Sequence, residues 1–121
     1  MQRPKPRGLT RILRALDSSR KGFSGAFRDE AAFRQELLLA LVVIPLGLYL
    51  GASGVERALL VAPMFLVLIV ELLNSAVEAT VDRIGLERHA LSGLAKDLGS
   101  AAVLLSLALL AVTWILVLWK S

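Results

Sequence analysis

The sequence predicts an all-α membrane protein with three transmembrane helices, preceded by an amphipathic helix on the membrane surface. Of its 121 residues, 56% are hydrophobic, and the mean hydropathy is +0.69. A soluble domain of this size has too little interior to hide so much apolar sequence. The apolar residues also fall into long runs, as bilayer-spanning segments do. No internal repeat is evident, so we expect one membrane domain over residues 1–121.

The surface helix is predicted over residues 9–24, after an irregular start at residues 1–8. Four apolar side chains recur there at helical spacing while Arg11 and Arg14 point elsewhere, a pattern typical of a helix lying on a membrane: Leu9, Ile12, Leu13 and Leu16. Serines and glycines between Ser18 and Gly25 predict that the chain loosens there. A soluble connector is the alternative interpretation of this segment.

The first transmembrane helix is predicted over residues 30–50. The apolar run at 37–50 alone would cover only about 21 Å, which is shorter than the roughly 30 Å hydrocarbon core, so the helix must begin near Glu30. This start places Glu30, Arg34 and Glu36 near the cytoplasmic boundary, where we expect their charged groups to reach water. Pro45 lies inside this helix and could kink it.

The other two spans are predicted over residues 57–84 and 92–119, after a tight turn at 51–56. In the last span, residues 98–119 contain no charged side chain. Trp114 and Trp119 suit an aromatic belt at its far interface.

The positive charges predict the orientation and argue against nucleic acid as a partner. The chain has 14 Lys and Arg, and nine of them precede residue 37, where they form a basic arm suited to anionic lipid headgroups. Arg83, Arg88 and Lys96 lie around the second loop, against only Arg57 and Lys120 on the other side. Because cytoplasmic loops are rich in Lys and Arg, the N-terminus should be cytoplasmic and the C-terminus outside.

Several kinds of catalytic site are excluded by composition. The chain has no cysteine, so disulfides, thiolate metal sites and cysteine nucleophiles are ruled out. His89 is its only histidine, which makes a histidine zinc site or a Ser-His-Asp triad implausible. No Walker A motif or Gly-rich kinase loop occurs.

The most informative feature is a polar stripe on the second span, formed by Glu71, Asn74, Glu78 and Asp82. At about 100° per residue, Glu78 and Asp82 each lie within about 20° of the direction of Glu71, and Asn74 lies about 60° to one side. An acid as deep as Glu71 costs a few kcal/mol to insert, and intramembrane acids are usually functional. The alternative is that Glu71 is neutral or paired for packing only. A desolvated carboxylate is suited to act as a general base.

Three further charged residues should lie at about the depth of Glu78. Glu30 begins the first span, and Lys96 and Asp97 begin the third. Carboxylates of Glu30 and Glu78 suit Mg²⁺, and Lys96 could stabilise a transferring phosphoryl group. Together they indicate a phosphoryl-transfer site, although Lys96 alone would be an ordinary interfacial anchor.

Three blocks of sequence closely resemble the bacterial integral-membrane diacylglycerol kinase family. They lie at residues 30–36, 70–85 and 91–104, in the order and spacing of that family, and the likeness extends from Thr10 to Trp119. The resemblance implies a homotrimer in the bacterial inner membrane, with active sites shared between subunits. It would transfer the γ-phosphate of MgATP to diacylglycerol and form phosphatidic acid.

The resemblance also implies roles for individual residues. Glu71 matches the general base, with Asn74, Lys96 and Asp97 beside it in the catalytic and nucleotide site. Glu30 and Glu78 match the Mg²⁺ ligands. Other positions match contacts to the nucleotide (Arg11, Ser18, Glu87 and His89) or to the lipid (Arg11, Ala31, Arg34, Gln35, Tyr49, Ser100 and Trp114).

The sequence departs from the best-known members of the family at a few positions. Ser18 stands where they carry an aromatic residue, Tyr49 where they carry Trp, and Pro45 is unusual. The first bears on the nucleotide contact and the others on the far wall of the lipid pocket. None of them affects the acids.

An oligomer is expected for a physical reason as well. We expect a single protomer to be too small to shield Glu71, Asn74 and Glu78 from lipid, whereas packed copies can shield them. The small residues at 99–102 also permit close helix approach. Two rival functions stay open: an undecaprenol kinase with the same acids, and a proton- or ion-coupled transport subunit that uses Glu71 and Glu78 as a relay.

Overall fold

The computed structural model describes residues 7–85 and 89–119, which form four α-helices: α1 (Leu9–Asp29), α2 (Ala31–Leu50), α3 (Gly54–Ile84) and α4 (Ala90–Leu118). The last three are each long and apolar enough to cross a membrane, with mean hydropathies of 1.7, 2.2 and 2.7 in their most apolar windows. The predicted all-helical chain with three candidate spans is therefore confirmed.

Helix α1 is longer than the sequence suggested. It continues through the serines and glycines and ends at Asp29, so the expected loosening after Ser18 was wrong. Two local interactions help to explain the continuity: the Ser19 hydroxyl donates to the Ala15 carbonyl at 2.8 Å, and Arg20 and Lys21 both pair with Asp17 one turn away. Such pairs at i,i+3 and i,i+4 stabilise a helix modestly.

Glu30 is the single residue between α1 and α2, where the chain turns from one helix into the next. Its backbone is extended, and its N–H still donates to Ala26 while its carbonyl accepts from Arg34. The Arg34 guanidinium reaches back and donates to the carbonyls of Phe27 (2.7 Å) and Arg28 (3.0 Å). A cation that satisfies the last carbonyls of a helix also complements its dipole. Arg34 therefore fixes the corner at which Glu30 sits.

The turn between α2 and α3 is shorter than expected, because α3 begins at Gly54 and not at residue 57. The Ser53 hydroxyl accepts a hydrogen bond from the Glu56 N–H at 3.2 Å, which caps the helix start. Arg57 donates to the Leu48 carbonyl at the end of α2. A Cβ on Gly51 would lie 2.6 Å from Arg57 Cγ, so the turn requires glycine there.

Helix α3 is the centre of the bundle and packs against both α2 and α4. Its fully buried side chains Leu60, Met64 and Val67 follow one another at helical spacing. Met64 and Val67 meet Ala40 of α2 and Leu110 of α4 in the core. The face of α3 that points into the bundle is thus set by this apolar series.

Trp114 connects the helices of the bundle. Its indole N–H donates to the Leu60 carbonyl at 2.9 Å, linking α4 to α3. The ring lies against Gly47 of α2, where an added Cβ would come within 3.4 Å of it and 3.0 Å of Leu60 Cβ. Trp114 thus has a packing role within the protomer, and its place in an aromatic belt stays a prediction.

Helix α2 contains Pro45 but remains one continuous helix from Ala31 to Leu50.

Candidate active site

Glu71 continues the buried face of α3. It follows Val67 by four residues, at the same spacing that places Leu60, Met64 and Val67 in the core, and only 4% of its surface is exposed. The polar stripe therefore points between the helices of one protomer. A single protomer therefore already shields Glu71, whereas Asn74 and Glu78 stay partly exposed, and their shielding by further copies stays a prediction.

Asn74 and Glu78 extend the stripe one and two turns further. The Asn74 Nδ2 donates to Glu78 Oε1 at 3.4 Å, and both residues are half-buried. On the other side of the amide, Asn74 Oδ1 is buried and has no hydrogen-bond partner within the described chain. It lies against Gly99 of α4, where any Cβ would overlap it. Gly99 therefore lets α4 approach closely enough to confine the Asn74 amide.

Glu36 is the site residue that sequence reasoning missed. It was expected to reach water at the cytoplasmic boundary, but its carboxyl group lies within hydrogen-bonding reach of Glu71. The signal was available: Glu36 falls at helical spacing between Phe33 and Ala40, and both are buried on the inward face of α2. Two of the three spans thus contribute an acid to the same place.

Glu30 stands close enough to interact electrostatically with Glu71, as does Glu78. Its neighbour Asp29 is engaged with the Arg28 guanidinium, and the hydrogen bond from Arg28 holds the pKa of Asp29 below its usual range. A positive charge thus balances Asp29 next to the corner. Within the described ranges, neither Glu30 nor Glu78 takes part in a salt bridge.

A cavity of about 460 Å³ lies between α1 and α3 and opens beside Glu30. Gly22, Gly25 and Ala26 of α1 line one side, and their small size leaves this space. Ser75 lines the other side, and its hydroxyl is buried without a hydrogen-bond partner in the part of the chain that the structure describes. Ser75 is a second polar residue that the sequence did not single out.

Lys96 lies on α4 and contacts the last acid of the stripe. Its Nζ donates to Asp82 Oδ1 at 2.9 Å, and the two side chains are 44% and 51% exposed. Lys96 is also near enough to Glu78 to interact with its charge. Because the pair is exposed, its own contribution to stability is small. The ammonium is held at the polar end of the bundle, accessible to a ligand.

The described residues contain no ready-made group of three or more Asp, Glu or His side chains placed to hold a metal ion. Mg²⁺ in phosphoryl-transfer sites is commonly bound by one or two carboxylates, with waters and substrate phosphates as the remaining ligands. Glu30 and Glu78, each close enough to Glu71 to interact with its charge, are the candidate carboxylates for such a site.

The other predicted residues lie outside this cluster. On α1, Arg11 and Ser18 are exposed, and on α2 so are Ala31, Gln35 and Tyr49, the last at 83%. Asp97 and Ser100 are exposed on α4. Glu87 lies outside the described residues.

His89 and Trp114 have structural partners. The His89 Nδ1 accepts from the Leu91 N–H at 3.1 Å and caps the start of α4. Trp114 lies at the level of Leu60, and Leu60 is eleven residues, or about 16 Å of helix, from Glu71.

The arrangement is suited to moving a proton beside a bound anion. Glu71 is an almost fully buried carboxyl group, and the carboxyl group of Glu36 lies next to it. The Lys96 ammonium supplies a positive charge near Glu78, at the polar end of the stripe. Preorganised charges in a place sheltered from water interact strongly with a substrate. The cluster thus combines a candidate base, candidate metal ligands and a cation.

Comparison with known proteins shows the family of this chain. Residues 17–118 match the model of the prokaryotic diacylglycerol kinase family. The chain is 58% identical to a diacylglycerol kinase of Pseudomonas aeruginosa over 111 residues, covering 92% of this chain and 90% of that one. It is 49% identical to that of Escherichia coli K12, with 93% of each chain covered, and 43% identical to that of Helicobacter pylori, with 92% and 87% covered. The chain therefore belongs to the prokaryotic diacylglycerol kinase family.

Proposed function

We propose that this protein transfers the γ-phosphoryl group of ATP to the free hydroxyl of diacylglycerol, forming phosphatidic acid and ADP. The observation that carries the proposal is the buried Glu71, an acid on the inward face of α3 in a bundle with three apolar helices. A lipid alcohol enters such a site from the bilayer, and a nucleotide reaches its polar end from water. Family membership supplies the lipid and the phosphoryl donor.

In this proposal Glu71 is the general base. Its carboxylate accepts the proton of the lipid hydroxyl as the oxygen attacks the γ-phosphorus, and the bond to the β-phosphate oxygen breaks. Its burial keeps bulk water away from the base, which favours the lipid hydroxyl over water as the acceptor. Asn74 is confined between Glu78 and Gly99, and it keeps Glu78 in place beside the base.

Glu30 and Glu78 would hold Mg²⁺ with the nucleotide phosphates. The ion would neutralise phosphate charge and orient the transferring group. Glu30 suits this role because the Arg34-capped corner fixes its backbone, and Glu78 because Asn74 holds one of its oxygens. Lys96, exposed at the same end, would approach the phosphates and stabilise their charge.

The membrane placement and assembly are also proposals. Nine basic residues before residue 37 support a cytoplasmic N-terminus in the bacterial inner membrane, with the C-terminus outside. The exposed apolar side chains Leu9, Ile12 and Leu16 of α1 support a helix that lies on the membrane surface. A homotrimer with shared active sites follows from the family resemblance. The exposed Asp97 and Ser100 of α4 would then be available to a neighbouring subunit.

The test uses purified protein in detergent micelles with labelled ATP and Mg²⁺, offered diacylglycerol and undecaprenol side by side. We expect the label to enter phosphatidic acid. Preferential labelling of the polyprenol would instead identify undecaprenol as the substrate. Glu71→Gln should reduce transfer to background while the protein keeps its helical content and its oligomeric state, because the amide preserves shape but cannot accept the proton. Wild-type turnover in this variant would remove Glu71 from the role of base.

A further inference from the structure

Glu36 poses a problem that the proposed chemistry does not explain. It lies inside the second helix, on the face that carries Phe33 and Ala40 into the core, and its carboxyl group meets that of Glu71. One of its oxygens, Oε2, is buried and accepts no hydrogen bond from any described residue. An ionised carboxylate oxygen buried in this way is strongly unfavourable. The arrangement is therefore costly unless the group carries a proton.

The contact between the two carboxyl groups leads to the same conclusion. Two ionised carboxylates have only acceptor atoms, so a hydrogen bond between them requires one proton. In a sheltered site, two like charges at this separation also repel each other strongly. The charged groups near Glu71 do not relieve the repulsion, since Glu30 and Glu78 are acids and Lys96 is engaged with Asp82.

We propose that Glu36 is a positioning residue that keeps a proton and donates it as a hydrogen bond to Glu71. This inference rests on the proposed role of Glu71 as the base. The hydrogen bond from Glu36 holds the ionised oxygen of Glu71 in one orientation toward the lipid hydroxyl. The proton that leaves the hydroxyl goes to Glu71 itself, and Glu36 retains its own throughout the transfer. The active form of the enzyme therefore has one proton on the pair, and a second ionisation removes the hydrogen bond that orients the base.

The pair of variants Glu36→Gln and Glu36→Ala separates this role from a packing role. The glutamine amide also donates a hydrogen bond and cannot lose its proton at any working pH. Glu36→Gln should therefore keep kcat within about threefold of wild type at neutral pH. Alanine has no donor, and Glu36→Ala should lower kcat at least tenfold while leaving KM for ATP within twofold.

The pH profile of kcat gives a readout that a packing role would not change. We expect wild-type kcat to fall on the alkaline side as the shared proton is lost, and this fall should be absent from Glu36→Gln. Both proteins contain Lys96, Glu30 and Glu78, so any pH dependence of kcat that these groups cause should be the same in both profiles. A profile of Glu36→Gln that superimposes on the wild-type profile would overturn the proposal. So would the complete inactivity of a folded Glu36→Gln protein.

Infrared spectroscopy keeps the proposal testable even if the variants lose activity. At neutral pH the wild-type protein should show the carbonyl band of a buried protonated carboxylic acid, and Glu36→Gln should lose it. A spectrum that is unchanged by this substitution would contradict a protonated Glu36. Failure of the proposed function can be recognised separately. A fully active Glu71→Gln protein would show that Glu71 is not the base, but it would not change the infrared evidence for a protonated Glu36.

Discussion

Replacing Gly99 by alanine should impair catalysis far more than it impairs folding. The added Cβ would overlap Asn74 Oδ1, and it would lie 3.2 Å from Asn74 Cγ and 3.8 Å from its Cβ. Because the clash involves the end of a short side chain, the amide can turn aside without separating α3 from α4. Turning the amide displaces its Nδ2 from Glu78 Oε1, which it contacts at 3.4 Å.

The expected magnitudes follow from two opposing effects. Alanine in a helix interior is favoured over glycine by about 0.8–1.0 kcal/mol. A hydrogen bond to a charged group contributes about 1.5–3 kcal/mol, and the long 3.4 Å contact should lie at the low end of that range. The free energy of unfolding should therefore change by less than about 1 kcal/mol. If Asn74 must hold Glu78 during transfer, a loss of about 1.5 kcal/mol lowers kcat about tenfold.

Gly93→Ala is the matched control for this substitution. Gly93 lies in the same helix, and a Cβ there would meet nothing within 4 Å. The Gly93→Ala protein should therefore gain the same stabilisation from the higher helix propensity of alanine, and it should keep wild-type kcat. Phosphorylation of diacylglycerol in micelles and thermal unfolding would be measured for both variants. Equal kcat for Gly99→Ala and Gly93→Ala would refute the idea that the close approach of α4 positions the Asn74 amide.

Two further predictions concern contacts between helices. Trp114→Phe removes the hydrogen bond to the Leu60 carbonyl and should lower the free energy of unfolding by about 1 kcal/mol. If stability were unchanged and KM for the lipid were raised, Trp114 would instead belong to substrate binding. Asp82→Asn and Lys96→Met both break the same exposed ion pair, so each should leave the thermal unfolding midpoint almost unchanged. Only Lys96→Met should lower kcat at least tenfold, and equal kinetic losses would mean that Lys96 acts only through Asp82.

The helices and spans were predictable because they depend on local composition. Apolar runs long enough for a bilayer identified three spans, and the structure contains three helices that fit them. The end of α1 was missed because its serines and glycines were taken as breakers. In the structure, Arg34, on the following helix, caps the carbonyls at that end, and the i,i+3 and i,i+4 pairs of Asp17 support the middle. Propensity alone does not include either interaction.

The stripe of Glu71, Asn74 and Glu78 was predictable for the same local reason, since helical periodicity relates positions along one helix. Glu36 could have been found by applying that periodicity to its own helix, where Phe33 and Ala40 mark the inward face. It was missed because a charged residue near the start of a span was assumed to reach water. Its depth in the bundle was therefore misjudged.

By itself the sequence determined which segments are helical, which of them are apolar enough for a membrane, and which side chains share a face. These properties follow from backbone hydrogen bonding and a fixed 3.6-residue period, and both act within one segment. Only the tertiary structure decided that Glu36 meets Glu71, that Lys96 pairs with Asp82, and that Asn74 is confined by Gly99. Those contacts depend on how far each helix rotates and how closely it approaches its neighbours. Packing of Met64, Val67, Ala40 and Leu110 sets both quantities, and no single segment encodes them.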